Sequence, residues 1–392
     1  MLCESYCLNG NTFVILPERL DSTNSSQVEN ELVQIHILHP HLILDCNKMT
    51  YISSAGLRVV LKMKKLQPNL EIINVSNDVY SIFDMTGFAQ MIKISKACRL
   101  ISIDGCKIIG QGSKGTVYRY NEDTVVKVYN NLNSYEEIKR ERESAKEAFV
   151  LGIPTAISFD IVKVGDKFGT MYELIDAQSL AELMQSYPLE FDKFTSIFAD
   201  MLMLVHTIDP KGSVLPHMQN RIEQFWLEYL KPYINISEYE KAKKLVLEIP
   251  DVNHLIHCDY HPNNILFQKN EALLIDMDTL CYGHPIYDLS NIYFAFVAQI
   301  ERTPQNAVDF LKIDLDLIKK FWPSFIKHYL KTEDENFINE VTTKVRFLGL
   351  VRAIRHISRR GQDDVSQSHI NYYVSEFRKL LNTITKLDWE KK

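Results

Sequence analysis

No stretch of this 392-residue chain approaches the roughly 18 consecutive apolar residues of a membrane-crossing helix, so the sequence predicts no membrane span and no membrane partner. The opening MLCESYCLNG has neither a basic leader nor an apolar core, which predicts no secretory signal. Cysteine is sparse and unpatterned. The seven residues Cys3, Cys7, Cys46, Cys98, Cys106, Cys258 and Cys281 are an odd set without framework spacing, which predicts reduced thiols and a cytoplasmic location. Cys3 and Cys7 are four apart, but no second Cys or His pair follows, which argues against zinc. Basic residues are outnumbered, 44 against 50 acids, for a net charge of -6, and a general nucleic-acid coat is excluded. Repeats, low-complexity tracts and long Pro/Gly/Ser linkers are also missing. What remains is ordinary globular composition, 46% hydrophobic and 24% charged, on a chain long enough for two or three domains.

The join shows in the patterning. The first hundred residues hold nine basic and nine acidic side chains, so all of the net charge lies beyond them. Apolar runs at 12–16, 41–44 and 71–75 predict strands. Helical spacing predicts helices over 21–35, on Val28, Leu32 and Ile35, and over 54–66, on Leu57, Val60 and Leu61. A third, at 81–91, is capped or broken around Gly87. This strand–helix alternation predicts an α/β sandwich over 1–97. Beyond a short linker near 97–104, strands are expected at 107–109, 116–120, 124–129, 157–164 and 170–175. A charged helix at 134–151 is ended by Gly152 and Pro154. From 179 onward helical patterns dominate, apart from a β-rich stretch at 254–278. The expectation for 98–392 is an α+β domain with a small strand-rich lobe, about 98–175, and a helical lobe, about 176–392.

Three motifs in the second part carry chemistry. Gly110-Gln111-Gly112-Ser113-Lys114-Gly115-Thr116-Val117 fits G-x-G-x-x-G-x-V between two predicted strands. Gly110, Gly112 and Gly115 let the backbone approach phosphates, and N–H groups of such a loop, Ser113 included, can point at an anion. A tight glycine hairpin would look the same. Lys127 sits inside the apolar strand Val125-Val126-Lys127-Val128, where an ammonium needs a partner unless it snorkels from an edge. The charged helix offers Glu141, on the stripe of Ala145 and Ala148, with Glu143 as runner-up. The third motif is His257-Cys258-Asp259-Tyr260-His261-Pro262-Asn263-Asn264, after which the apolar strand 272–275 delivers Asp276. One carboxylate can accept a hydroxyl proton, and the Asn with the second Asp can hold Mg²⁺ on phosphates.

Taken together, residues 105–392 resemble the aminoglycoside phosphotransferase and choline-kinase-like branch of the protein-kinase-like fold. The box H-x-D-x-x-x-x-N followed by Leu274-Ile275-Asp276-Met277-Asp278 carries the resemblance, and H-R-D, D-F-G and A-P-E are absent. The resemblance implies Asp259 as general base or hydroxyl orienter, and Asn264 and Asp276 as Mg²⁺ ligands. It implies Lys127 and Glu141 as the phosphate-positioning pair. It also implies Glu173 and Leu174 as a hinge whose backbone reads adenine. Gly283-His284-Pro285 and Asp288 resemble a turn that props the metal loop. Cys258 replaces a usual small residue, and Asp278 is an extra acid with either a metal-contacting or a structural role.

In the first part, a strand ending Leu42-Ile43-Leu44-Asp45 precedes Tyr51-Ile52-Ser53-Ser54-Ala55-Gly56-Leu57. Ser53 or Ser54 is a natural helix cap. With Leu20-Asp21 and Met85-Thr86-Gly87-Phe88, the pattern resembles the STAS fold of anti-sigma-factor antagonists over about 10–97. The resemblance implies Ser54 as a phosphosite at a helix start and a surface for a protein partner or a second copy. It departs from the family in having Ser53 where an Asp is usual.

Finally, 344–360 holds Lys344, Arg346, Arg352, Arg355, Arg359 and Arg360. An amphipathic helix with a solvated basic face is the plain expectation, and an anionic-substrate or partner site the sharper one. The function expected is Mg²⁺-dependent phosphoryl transfer from ATP or GTP to a hydroxyl of a small acceptor. A nucleotide-sensing switch, or a protein kinase acting on Ser54, stands beside it.

Overall fold

Buried apolar residues on its three middle strands, Val14, Leu44 and Ile72 among them, anchor the first sheet. In this computed structural model, residues 1–8, 10–112, 114–130, 135–210, 212–213, 215–268, 271–360 and 363–389 are described. They fall into two units: 1–102 with 162–165, and 103–161 with 166–392.

The first unit contains β1 (Glu4–Leu8), β2 (Asn11–Ile15), β3 (Leu42–Asp45), β4 (Glu71–Val75) and β5 (Lys93–Lys96), paired in that order. β1 and β2 are antiparallel and the later pairs parallel. Parallel neighbours need crossovers, supplied here by α1 (Ser25–Leu38), α2 (Ser54–Leu66) and α3 (Asn77–Met85). Val14, Leu44 and Ile72 from adjacent strands are completely buried with Val28 and Leu32 of α1 and Val60 and Met63 of α2. The third helix starts earlier than its apolar spacing predicts. Ser76 caps it by accepting the Val79 N–H, and the chain turns at Gly87 (φ 78°) before one more helical turn, Phe88–Met91. β1 escaped sequence reasoning because it is an exposed edge strand without apolar alternation; Tyr6 stacks on Phe13 of β2 at 5.0 Å.

The second unit opens with antiparallel strands β6 (Lys107–Gln111), β7 (Gly115–Arg119), β8 (Thr124–Tyr129) and β9 (Lys167–Glu173), ordered β9-β8-β7-β6. α4 (Tyr135–Val150) lies between β8 and β9 in sequence. The helical part includes α5 (Phe191–Thr207), a hairpin of β10 (Ile265–Gln268) and β11 (Glu271–Leu274), α6 (Ile286–Tyr293), α7 (Leu315–Leu330), α8 (Glu335–Ser358) and α9 (Asp364–Thr383). An aromatic knot of Phe198, Phe321 and Phe325 joins α5 to α7. α8 packs against α6 and α9 and buries Val341, Val345, Leu348, Leu350, Val351 and Ile354. Apolar residues occupy several of its faces, so the expectation of a solvated basic face is corrected. Lys344 is buried, and Arg346, Arg352 and Arg355 are half-buried. Among the described residues, no helix is long and apolar enough to cross a membrane.

Candidate functional site

The glycine motif lies at the β6–β7 turn. Only one of its glycines is dictated by packing. A Cβ on Gly115 would stand 2.3 Å from the carbonyl oxygen of Val128, because β7 and β8 pair closely there. Gly112 has nothing within 4 Å of a Cβ, and Gly110 has only ordinary contact with Val117. The Gly112 N–H donates to the Gly115 carbonyl at 2.9 Å, which closes the turn. Ser113 lies outside the described residues.

Lys127 stands on β8, an inner strand, and does not snorkel. Its Nζ donates to Glu141 Oε1 at 2.7 Å and to Asp276 Oδ1 at 3.1 Å, joining residues 149 positions apart in the chain. Glu141 is buried on α4 and also accepts from the Tyr172 hydroxyl at 3.3 Å. Burial alone would lower the Lys127 pKa, but Asp276 and Glu141 outweigh it and the ammonium is held well above its ordinary value. Burial would raise Asp276; the Lys127 ammonium outweighs that and holds the carboxyl below its usual range. Asp276 follows β11 at φ 64°, a left-handed conformation that Asp tolerates and that ends the strand. Its neighbour Asp278 is ion-paired with Lys114 of the glycine turn, which gives the extra acid a structural contact.

The loop 257–264 is held from below. Asp288, fully buried in the first turn of α6, accepts the main-chain N–H of His257 at 2.8 Å and of Cys258 at 2.6 Å. His206 of α5 contacts the same carboxylate at 3.0 Å, with its other ring nitrogen 2.9 Å from the Tyr329 hydroxyl. Burial would raise the Asp288 pKa, yet His206 and the N–H donors hold it below the ordinary carboxylate value. Asp288 therefore props the 257–264 loop rather than the loop carrying Asp276. Cys258, at φ 63°, sits 3.4 Å from the sulfur of Cys281, and this contact and its burial push the thiol well up. The Asn264 side-chain amide donates to the Asp259 main-chain carbonyl at 3.1 Å, and the Asn264 main-chain carbonyl takes the Ile275 N–H at 2.9 Å. Asn264 is thus tied to both Asp259 and the approach to Asp276.

Glu173 and Leu174 end β9. Their N–H groups are already committed, to Ile157 O at 3.0 Å and Asp123 O at 2.8 Å, so only their carbonyl oxygens remain to offer a base. In the first unit, Ser53 caps α2 by accepting the Ala55 N–H at 3.2 Å, which leaves Ser54 as the exposed first helical residue. Gly56 is required there, since its Cβ would lie 2.5 Å from the Leu20 carbonyl.

Two residues went unread. His206 gave no signal beyond its place on an apolar helix. Asn291 donates to the Cys258 carbonyl at 3.0 Å and accepts from Arg352 at 2.9 Å. Arg352 is named by the sequence, with a solvated face as the plain expectation and an anionic-substrate or partner site as the sharper one; the structure turns it to Asn291.

Residues 105–312 match the model of the phosphotransferase enzyme family (APH), and residues 4–99 match the STAS domain. BtrV of Bordetella bronchiseptica, described as an anti-sigma factor antagonist, is 30% identical over 95 residues, 23% of this chain and 82% of that protein. Solved structures similar to the chain include ADP-bound aminoglycoside phosphotransferase APH(2'')-Ib: 15% identity, 70% of this chain and 94% of that one, TM-score 0.47. Amicoumacin kinase hAmiN with AMP-PNP, Ca²⁺ and Ami is 13% identical over 79% of this chain and 95% of that one, TM-score 0.48. A choline/ethanolamine kinase family protein from Mesorhizobium loti is 14% identical over 71% and 88%, TM-score 0.46. The chain belongs to the phosphotransferase enzyme family, with a kinase-like α+β fold, and carries a STAS domain at its N-terminal end.

Proposed function

We propose that this phosphotransferase moves the terminal phosphoryl group of ATP or GTP to a hydroxyl of a small acceptor, with Mg²⁺ as cofactor. One observation carries the reading: Lys127 Nζ within hydrogen-bonding distance of both Glu141 and Asp276. A cation fixed between two carboxylates is oriented without being discharged, which is what phosphate positioning needs. We assign catalysis to 98–392, with its small lobe at about 98–175, and regulation or docking to 1–97.

The oxygen donors suit a small hard cation. The Asp276 carboxylate is 32% exposed, and the Asn264 side-chain oxygen stays available because its nitrogen is spent on Asp259 O. Asn264 and Asp276 would hold Mg²⁺, which when bound neutralises phosphate charge. Gly110 and Gly112, which packing does not demand, leave the space that triphosphate oxygens take. Glu173 and Leu174 meet the base through carbonyls. Asp259 accepts the acceptor's hydroxyl proton as the hydroxyl oxygen bonds to the terminal phosphorus and the bond to the leaving diphosphate breaks. The test is ADP release over a panel of hydroxyl compounds. Asp259→Ala should cost about 10²–10⁴-fold in turnover; a variant as fast as the parent contradicts the base assignment.

A second reading concerns the STAS domain. Ser54 is exposed and outside the cap that Ser53 makes, at the start of a helix of 13 residues. There the dipole favours a phosphate. We infer a docking module for a protein partner or a second copy, switched by phosphorylation of Ser54. Intact mass after incubation with ATP, against Ser54→Ala, tests whether this chain modifies itself.

A further inference from the structure

Helix α8 carries two kinds of cation. Near its middle they are paired. Lys344 contacts Glu340 and the Asp388 carbonyl, each at 2.6 Å, and Arg346 contacts Glu301 at 2.6 Å and Glu376 at 3.2 Å. Towards its end the pairing stops. Among the described residues, Arg352, Arg355 and Arg359 make no ion pair with a carboxylate. Arg352 is turned to Asn291 and lies 5.2 Å from the Phe294 ring. Arg355 lies 5.7 Å from the Tyr229 ring, with its Nε buried and without a hydrogen-bond partner among the described residues. Carboxylates on the facing segment are already taken: Glu223 by Lys243 and Glu228 by Lys231, both at 2.6 Å.

Two of these cations, Arg355 and Arg359, border a space. A cleft of about 210 Å³ is lined by Gln224, Phe225, Tyr229, Arg355 and Arg359. Arg221 lies 4.4 Å from the ring of Phe225, one of the lining residues. Burial, then neighbouring guanidinium charge, pushes Arg352 down to about 10 and lowers Arg355. Burial, then the charges of Arg360 and its neighbours, takes His356 down to about 3, so it adds no charge at neutral pH. Clustered guanidiniums raise each other's charging cost, and an anion relieves it. The cluster also adjoins the proposed chemistry. Arg352 holds Asn291, Asn291 holds the Cys258 carbonyl, and Asp259 follows.

We propose that the acceptor bears an anionic group, carboxylate or phosphate, which Arg355 and Arg359 hold in this cleft while its hydroxyl is presented to Asp259. This rests on the phosphotransferase reading above. Arg gives such a group a planar pair of donors, and the Phe225 and Tyr229 rings offer apolar walls to a carbon skeleton. A polycationic acceptor meets like charge there.

The test uses the full chain saturated with AMP-PNP and Mg²⁺, so that the nucleotide site is filled. Thermal unfolding is followed at fixed ionic strength with inorganic phosphate, acetate or putrescine. Phosphate or acetate should raise the midpoint and putrescine should not; the larger of the two upshifts tells phosphate from carboxylate. Arg355→Gln with Arg359→Gln should weaken the anion effect about tenfold or more. Arg359→Gln alone, at an exposed position, should weaken it in part even if the double variant fails to fold. An anion upshift absent from the parent, or unchanged in Arg359→Gln, overturns the proposal. The AMP-PNP upshift is read separately: its absence would break the phosphotransferase assignment instead.

Discussion

Asp276 and Asp288 are both held below the ordinary carboxylate pKa, yet by opposite means. Asp288 is fully buried and saturated by two main-chain N–H groups and His206. Asp276 keeps a third of its side chain exposed and is anchored by one lysine. The first has no capacity left for a ligand and fixes a loop. The second has lone pairs to spare beside a cation. A lowered carboxylate pKa alone does not tell a structural acid from a working one; the number and permanence of its partners does.

Breaking the saturated carboxylate should have the largest effect. Asp288→Ala strands two N–H donors and His206 in the interior and should cost about 3–5 kcal/mol. Chemical denaturation checks this; a loss below about 1 kcal/mol would erase the contrast. Smaller is the cost of Gly115→Ala, about 1–3 kcal/mol, since its Cβ meets the Val128 carbonyl.

Acid should sharpen the comparison. Both carboxyls have folded-state pKa values below their unfolded ones, so their stabilisation is present above about pH 4 and is lost as pH falls through the lowered values. A pH series of unfolding midpoints should decline below about pH 4, and Asp288→Asn and Asp276→Asn should each flatten that decline. The smallest effect belongs to Gly112→Ala, whose added methyl meets nothing: stability should move by less than about 0.5 kcal/mol. The same variant should weaken nucleotide binding if the open space above the turn receives phosphates, which titration calorimetry can read.

Much of the candidate site was legible because its residues lie close together in sequence. Asp259, Asn264 and Asp276 lie within one short segment, and Lys127 announced its need for a partner by sitting in an apolar strand. Glu141 was separable from Glu143 by the alanine stripe, and 2.7 Å now joins it to Lys127. What could not be read was the support. His206 reaches Asp288 and Arg352 reaches Asn291 from helices far apart in sequence, and Asp288 and Asn291 in turn hold the 257–264 loop, by contacts that no periodicity encodes. At Glu173 and Leu174, the sequence does not reveal which backbone groups are engaged; the Leu174 N–H is taken by Asp123. α8 misled because arginines at helical spacing look solvated until other helices cover them.

The most direct test of the role proposed for Asp276 is thermal unfolding of the parent and of Asp276→Asn, each with ATP, with and without Mg²⁺. Asn tolerates the left-handed backbone at this position. A ligand at about 100 times its dissociation constant adds about 2.7 kcal/mol to the unit that binds it. A Mg²⁺-dependent upshift in the parent that Asp276→Asn lacks is the predicted result. An equal upshift in both proteins would contradict the assignment of Asp276 to metal and nucleotide.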